Sequence, residues 1–212
     1  MYHYEYVDRS EWAPVREELL GLLHKLQDEV REHFTFQYRF IGSSRRNMIT
    51  RDLCGNKGFD FDVDLEINDR SCRYSPSQIR EILRVGIDRI TNPNGLPVMR
   101  YDHAENSTRV LTIKVKDPAN SRILHSCDLC IVRKSCDGRR QYIRKNILHY
   151  NYTWEYQSED FEALPEKIDW VKQNGHWQEV RELYLRKKNN NFHFKPSRSL
   201  FAEAVHEIWQ KY

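Results

Sequence analysis

Apolar residues follow two different periods along this chain. Val15, Leu19, Leu22, Leu26 and Val30 recur at steps of three or four, which places them on one face of a helix. Ser10 ahead of Glu11 and Pro14 supplies the start of that helix. The period then drops to two: Phe34, Phe36, Tyr38 and Phe40 alternate with Thr35, Gln37, Arg39 and Ile41, as in a strand. This strand runs into Gly42-Ser43-Ser44, and a polar loop with Gly55 and Gly58 is expected after it. A second strand is expected near Phe59, where Phe59, Phe61, Val63, Leu65 and Ile67 alternate with Asp60, Asp62, Asp64 and Glu66. Ser75-Pro76 opens a helix whose buried side carries Ile79, Ile82, Leu83, Gly86 and Ile90. Arg109 to Lys116 and Arg122 to Val132 read as two strands joined by the turn Asp117-Pro118-Ala119-Asn120. From Trp154 onward the signals are helical, over Phe161 to Asn174, His176 to Lys188 and Ser199 to Tyr212, with a polar break at Asn189 to Asn191. Helix, strands around a helix, a hairpin, then helices make an α+β pattern.

Composition narrows the class. The chain has 212 residues, 39% hydrophobic and 31% charged, with 5 Trp, 12 Tyr and 9 Phe. That many aromatic rings can build a core and excludes a solvating disordered chain. No run of about 18 apolar residues predicts a membrane span, and the N-terminal stretch lacks the basic and apolar regions of a signal peptide. Five scattered cysteines are expected to be reduced thiols, which points to a cytoplasmic location. A formal net charge of +3 does not by itself imply nucleic-acid binding, so any basic surface must be local.

The candidate chemistry begins with the acids. Four carboxylates on one strand face repel one another across about 7 Å, and a bound divalent cation is the usual compensation. The bland alternative is a solvated edge strand opposite Lys or Arg. An EF-hand is excluded, because counting from Asp60 its sixth and twelfth positions are Leu65 and Ser71, and from Asp62 they are Ile67 and Arg73. A Gly-Ser turn after a strand can present backbone N–H groups to a triphosphate. A third acid, Asp128, lies in the later strand His125-Ser126-Cys127-Asp128-Leu129-Cys130-Ile131-Val132.

Gly42-Ser43, Asp60-Phe61-Asp62-Val63 and Asp128 together resemble the DNA-polymerase-β-like nucleotidyltransferases, nearest in pattern to the oligoadenylate and cyclic-dinucleotide synthase branch. The likeness covers roughly residues 34–132, and the spacer from Ser43 to Asp60 is longer than the family's commonest lengths. The resemblance implies a mixed β-sheet core flanked by helices, with a catalytic core over 1–153 and a helical C-terminal segment over 154–212. It also implies an enzyme that moves a nucleoside monophosphate from an NTP to an acceptor hydroxyl with release of pyrophosphate. Asp60, Asp62 and Asp128 would be its catalytic residues and would hold Mg²⁺ or Mn²⁺, while Gly42, Ser43, Ser44 and Arg45 would bind the nucleotide. Two registers of the acidic pair are open, Asp60 with Asp62 or Asp62 with Asp64. The first is preferred, because the catalytic acids should lie where the strand leaves the Gly58 loop.

Weaker signals have two readings each. Cys127-x-x-Cys130 has zinc-ligand spacing, but an odd separation in a strand points the two thiols to opposite faces. Buried reduced thiols are therefore expected. Arg133, Lys134, Arg139, Arg140, Arg144 and Lys145, followed by Tyr142, Tyr150, Tyr152 and Trp154, would suit stacking on bases, or would be a solvated loop with core aromatics beyond it. Lys114 and Lys116 would reach the triphosphate, or would offset the neighbouring acids. Against the enzyme stands a catalytically silent module of the same fold that binds RNA or a protein partner. A third reading is a toxin or antitoxin subunit that modifies a macromolecular acceptor.

Overall fold

The computed structural model describes residues 3–69, 72–92, 104–146, 148, 151–157 and 163–212. Tyr150 and Phe161, named above, lie outside them. The elements run β1 (Tyr4–Tyr6), α1 (Arg9–Val30), β2 (Thr35–Ile41), α2 (Gly42–Arg45), β3 (Thr50–Asp52), β4 (Lys57–Asn68), α3 (Pro76–Thr91), β5 (Glu105–Asn106) and β6 (Val110–Asp117). A 3-10 turn at Pro118–Asn120 leads to β7 (Arg122–Lys134), β8 (Arg140–Asn146), β9 (Asn151–Tyr156), α4 (Leu164–Gln173), α5 (Trp177–Asn189) and α6 (Ser197–Lys211). The fold is α+β with a mixed sheet. Among the described residues no helix is long and apolar enough to cross a membrane.

The chain divides into two units. The larger carries a seven-stranded sheet in the order β2-β4-β7-β6-β5, with β8 on the end of β7 and β9 on β8. Among the described residues only β4 and β7 run parallel, and the chain between them supplies α3 and the β5–β6 strands. The core gathers Phe59, Phe61, Val63 and Leu65 of β4, Leu129 and Ile131 of β7, Leu111 and Ile113 of β6, and the apolar stripes of α1 and α3. Burying each such side chain stabilises by about 1.5–3 kcal/mol, so the odd-numbered positions of β4 fix its register. A Cβ on Gly86 would stand 3.0 Å from Leu26 and 3.2 Å from Val30, so the glycine lets α3 lie close against α1. Ser75 caps α3 in a reciprocal capping box with Gln78.

In the smaller unit, β1 pairs antiparallel with β3, alongside helices α4 to α6. Phe201 of α6 meets Tyr184 and Trp177 of α5 edge-on, and the Tyr6 hydroxyl donates to the Arg181 carbonyl at 2.7 Å. Lys188 donates to Thr50 Oγ1 at 2.7 Å and lies over the Tyr4 ring. Burial lowers the Lys188 pKa to about 8.

Three expectations are corrected. The stretch after Ser44 is not simply a polar loop: Met48 and Ile49 are buried and β3 follows, a strand too short to show a period. Helix does not begin at Trp154, because Tyr152, Trp154 and Tyr156 belong to β9, paired residue for residue with β8. The basic segment is not a loop throughout, since Arg140–Asn146 is β8, and Arg133 and Arg139 lie over the Trp154 and Tyr156 rings.

Candidate active site

β4 and β7 run parallel in a register that sets Asp62 directly beside Asp128 and Asp60 beside Ser126. A carboxylate oxygen from each of Asp60, Asp62 and Asp128 lies within 4.8 Å of those of the other two. All three side chains are half-buried. The close packing reaches to β2, which ends at Ile41 opposite Asp62 and turns into α2. Gly42 takes φ +61° there, and a Cβ on it would overlap the Asp62 carboxylate. Only glycine meets both demands, so Gly42 lets the turn lie close against Asp62.

Like charges in a half-buried site raise one another's pKa. Burial is the main cause for Asp60, and with the negative charges of Asp128 and Asp62 it pushes that carboxyl up to about 8. Asp62 rises to about 6 through burial and Asp128, with Arg46 pulling the other way. Asp128 is also raised by burial, against a hydrogen bond from Thr112 and the charge of Lys114. Beneath them the buried Cys127 thiol is held protonated, by burial first and the three carboxylates next. An all-oxygen donor set of three carboxylates, each disfavoured as an anion, fits a hard divalent cation such as Mg²⁺ or Mn²⁺.

Farther along the same face the acids are neutralised. Asp64 is buried and accepts from Arg140 Nη2 at 2.7 Å, with Arg39 Nη2 at 3.5 Å. Glu66 faces Lys134 Nζ at 3.6 Å. Asp64 therefore stands outside the group made by Asp60, Asp62 and Asp128.

The Gly-Ser residues have different surroundings. Ser43 is half-buried in α2, and its carbonyl accepts from the N–H groups of Arg46 and Met48. Ser44 is buried, with its hydroxyl donating to the Ile41 carbonyl at 2.8 Å. Arg45 is exposed. Lys114 Nζ donates to Glu105 at 2.5 Å, and Lys116 is exposed. Cys127 is buried and Cys130 half-buried, both free thiols, and the acids make the only metal-type cluster among the described residues. Sequence reasoning missed Ser126, whose hydroxyl donates to Asp60 at 2.8 Å, and Thr112, whose hydroxyl donates to Asp128 at 2.6 Å. A signal was available for Thr112, which the β6–β7 hairpin sets opposite Asp128, whereas the place of Ser126 depends on the parallel pairing of β4 with β7.

No protein-family model matches the chain, and no curated protein does. Solved structures do. Vibrio cholerae DncV, a cyclic AMP-GMP synthase in complex with nonhydrolyzable GTP, matches with a TM-score of 0.60 at 14% identity over 98% of this chain and 54% of that one. Escherichia coli DncV in its 3'-deoxy GTP bound form matches with a TM-score of 0.55 at 12% identity, again over 98% and 54%. The Bradyrhizobium diazoefficiens CD-NTase CdnG in complex with GTP matches with a TM-score of 0.51 at 13% identity, over 76% and 42%. The chain spans about half the length of the structures it matches. Its fold is that of these solved structures.

Proposed function

We propose that the chain is a metal-dependent nucleotidyltransferase that moves a nucleoside monophosphate from an NTP to an acceptor hydroxyl and releases pyrophosphate. The observation that carries this reading is the meeting of Asp60, Asp62 and Asp128, with all three carboxyls raised and their oxygens within 4.8 Å. Fold neighbours crystallised with GTP support the choice of substrate. Asp60, Asp62 and Asp128 would hold Mg²⁺ or Mn²⁺, which when bound neutralises triphosphate charge and lowers the pKa of the attacking hydroxyl.

The chain's own part is placement and proton handling. Gly42 brings the turn against Asp62, so that Ser43 can offer its hydroxyl to the β- or γ-phosphate, with Arg45 adding charge at the turn. Ser44 fixes the turn through Ile41. As the acceptor oxygen bonds to the α-phosphorus, its proton passes to an Asp128 oxygen. The bond from that phosphorus to the β-phosphate oxygen breaks, and pyrophosphate leaves. The acceptor is open between a second nucleotide, RNA and a protein hydroxyl.

The test is pyrophosphate release with Mg²⁺, each NTP and each acceptor class. Asp128→Ala should keep NTP binding and lose turnover by roughly 10³-fold or more. A stable, NTP-binding Asp128→Ala protein with unchanged turnover would overturn the catalytic assignment.

A further inference from the structure

The cross-strand rows of the sheet pair each outer acid with a neutral hydroxyl. One row runs Asp62, Asp128, Thr112 and Glu105 across β4, β7, β6 and β5; the next runs Asp60, Ser126 and Lys114. A third row, one step the other way, runs Arg39, Asp64 and Cys130. In the first two rows a hydroxyl lies between the outermost acid of the site, Asp128 or Asp60, and the next charged side chain farther from β4. Thr112 separates Asp128 from Glu105, and Ser126 separates Asp60 from Lys114, which is turned onto Glu105. In the third row no hydroxyl intervenes, and Asp64 is gripped by Arg39 and Arg140.

The chemical difference matters to a cation. An arginine beside a carboxylate offsets its charge, and here both Arg39 and Arg140 reach Oδ2 of Asp64. A hydroxyl takes one lone pair of one oxygen, fixes the rotation of the carboxylate and leaves its charge in place. The bonds at 2.8 Å and 2.6 Å each engage a single Oδ1, which leaves the other oxygen of Asp60 and Asp128 unspent by that partner.

We infer that Thr112 and Ser126 are positioning residues: each fixes one oxygen of Asp128 or Asp60 so that the carboxylate meets a divalent cation with its charge intact. The inference rests on the nucleotidyltransferase reading of the acids, and it assigns to Thr112 and Ser126 a role that reading does not require. Outer partners of metal-binding groups typically change affinity by about 10–100-fold when removed.

The experiment is a Mn²⁺ titration of the chain followed by the loss of the free-ion paramagnetic resonance signal, with no nucleotide present. Thr112→Val keeps the branched shape and removes the donor, Ser126→Ala removes the other donor, and Thr112→Ser restores a hydroxyl. The expected result is weaker Mn²⁺ binding by roughly 10-fold or more in Thr112→Val and in Ser126→Ala, with Thr112→Ser near the parent protein. Melting temperatures on the same samples separate a structural role, which would shift the melt and leave Mn²⁺ affinity unchanged. Parent protein that binds Mn²⁺, together with Thr112→Val and Ser126→Ala that bind it equally well, overturns the inference and spares the reading beneath it. Parent protein that binds no Mn²⁺ overturns both.

Discussion

Asp62 and Asp64 stand two residues apart on one face of β4, and the fold treats them oppositely. Asp64 is buried between Arg39 and Arg140, an ion-paired strut that joins β2 and β8 to the centre of the sheet. Asp62 instead meets Asp128 and Asp60, and its carboxyl is pushed up to about 6. Periodicity makes the two equivalent, whereas the neighbouring strands do not. A carboxylate that the fold neutralises is structural, and carboxylates that the fold crowds together call for a cation from outside.

The widest separation is expected in turnover. Asp62→Asn should reduce pyrophosphate release by roughly 10³-fold or more, while Asp64→Asn, assayed well below its melting point, should stay within about 10-fold of the parent protein. Similar losses in both would erase the distinction between the two ends of the strand.

Stability without divalent ions should move in opposite directions. Asp64→Asn leaves Arg39 and Arg140 without their shared anion and should destabilise by about 1–3 kcal/mol, moderated by the exposure of Arg39. Asp62→Asn removes a repelled charge and should stabilise by about 1–3 kcal/mol near pH 8. Because the folded carboxyls of Asp60 and Asp62 titrate at about 8 and about 6, above the unfolded value of 3.8, the folded state binds more protons across that window. Their contribution to stability is thus full below about pH 4 and is lost as pH rises through 6 and 8. Urea melts in chelator at about pH 5 and pH 8 should show the gain from Asp62→Asn roughly halved at the lower pH, where the unfolded carboxyl is already ionised. A gain independent of pH would place its origin outside the carboxylate cluster.

A smaller effect is expected beyond the strand. Ser43→Ala should weaken NTP binding by roughly 10–100-fold and leave the fold intact, as loss of one hydrogen bond to a charged group implies. Equal affinity, measured by isothermal titration with a non-hydrolysable NTP, would remove the Ser43 hydroxyl from the site.

Much of this was legible in the sequence where a short-range period carried it. α1, β2, β4, α3 and the β6–β7 pair follow stripes and alternations within one element, and the acidic face of β4 was visible for the same reason. Which acids belong together was not, because that depends on the parallel pairing of β4 with β7. The partner of Asp64 was hidden too: Arg140 lies 76 residues away in a segment whose charges masked a strand. β9 was legible and passed over: Tyr152, Trp154 and Tyr156 alternate with Asn151, Thr153 and Glu155 at a period of two, the mark of a strand.

In the proposed site a divalent cation completes Asp60, Asp62 and Asp128, and Asp64 takes no part. Thermal melting of the parent protein, Asp62→Asn and Asp64→Asn, each with and without saturating Mg²⁺ or Mn²⁺, tests it most directly. The ion is expected to stabilise the parent protein and Asp64→Asn by about 1–3 kcal/mol and to leave Asp62→Asn unmoved. A parent protein whose melting temperature is indifferent to both ions would contradict it.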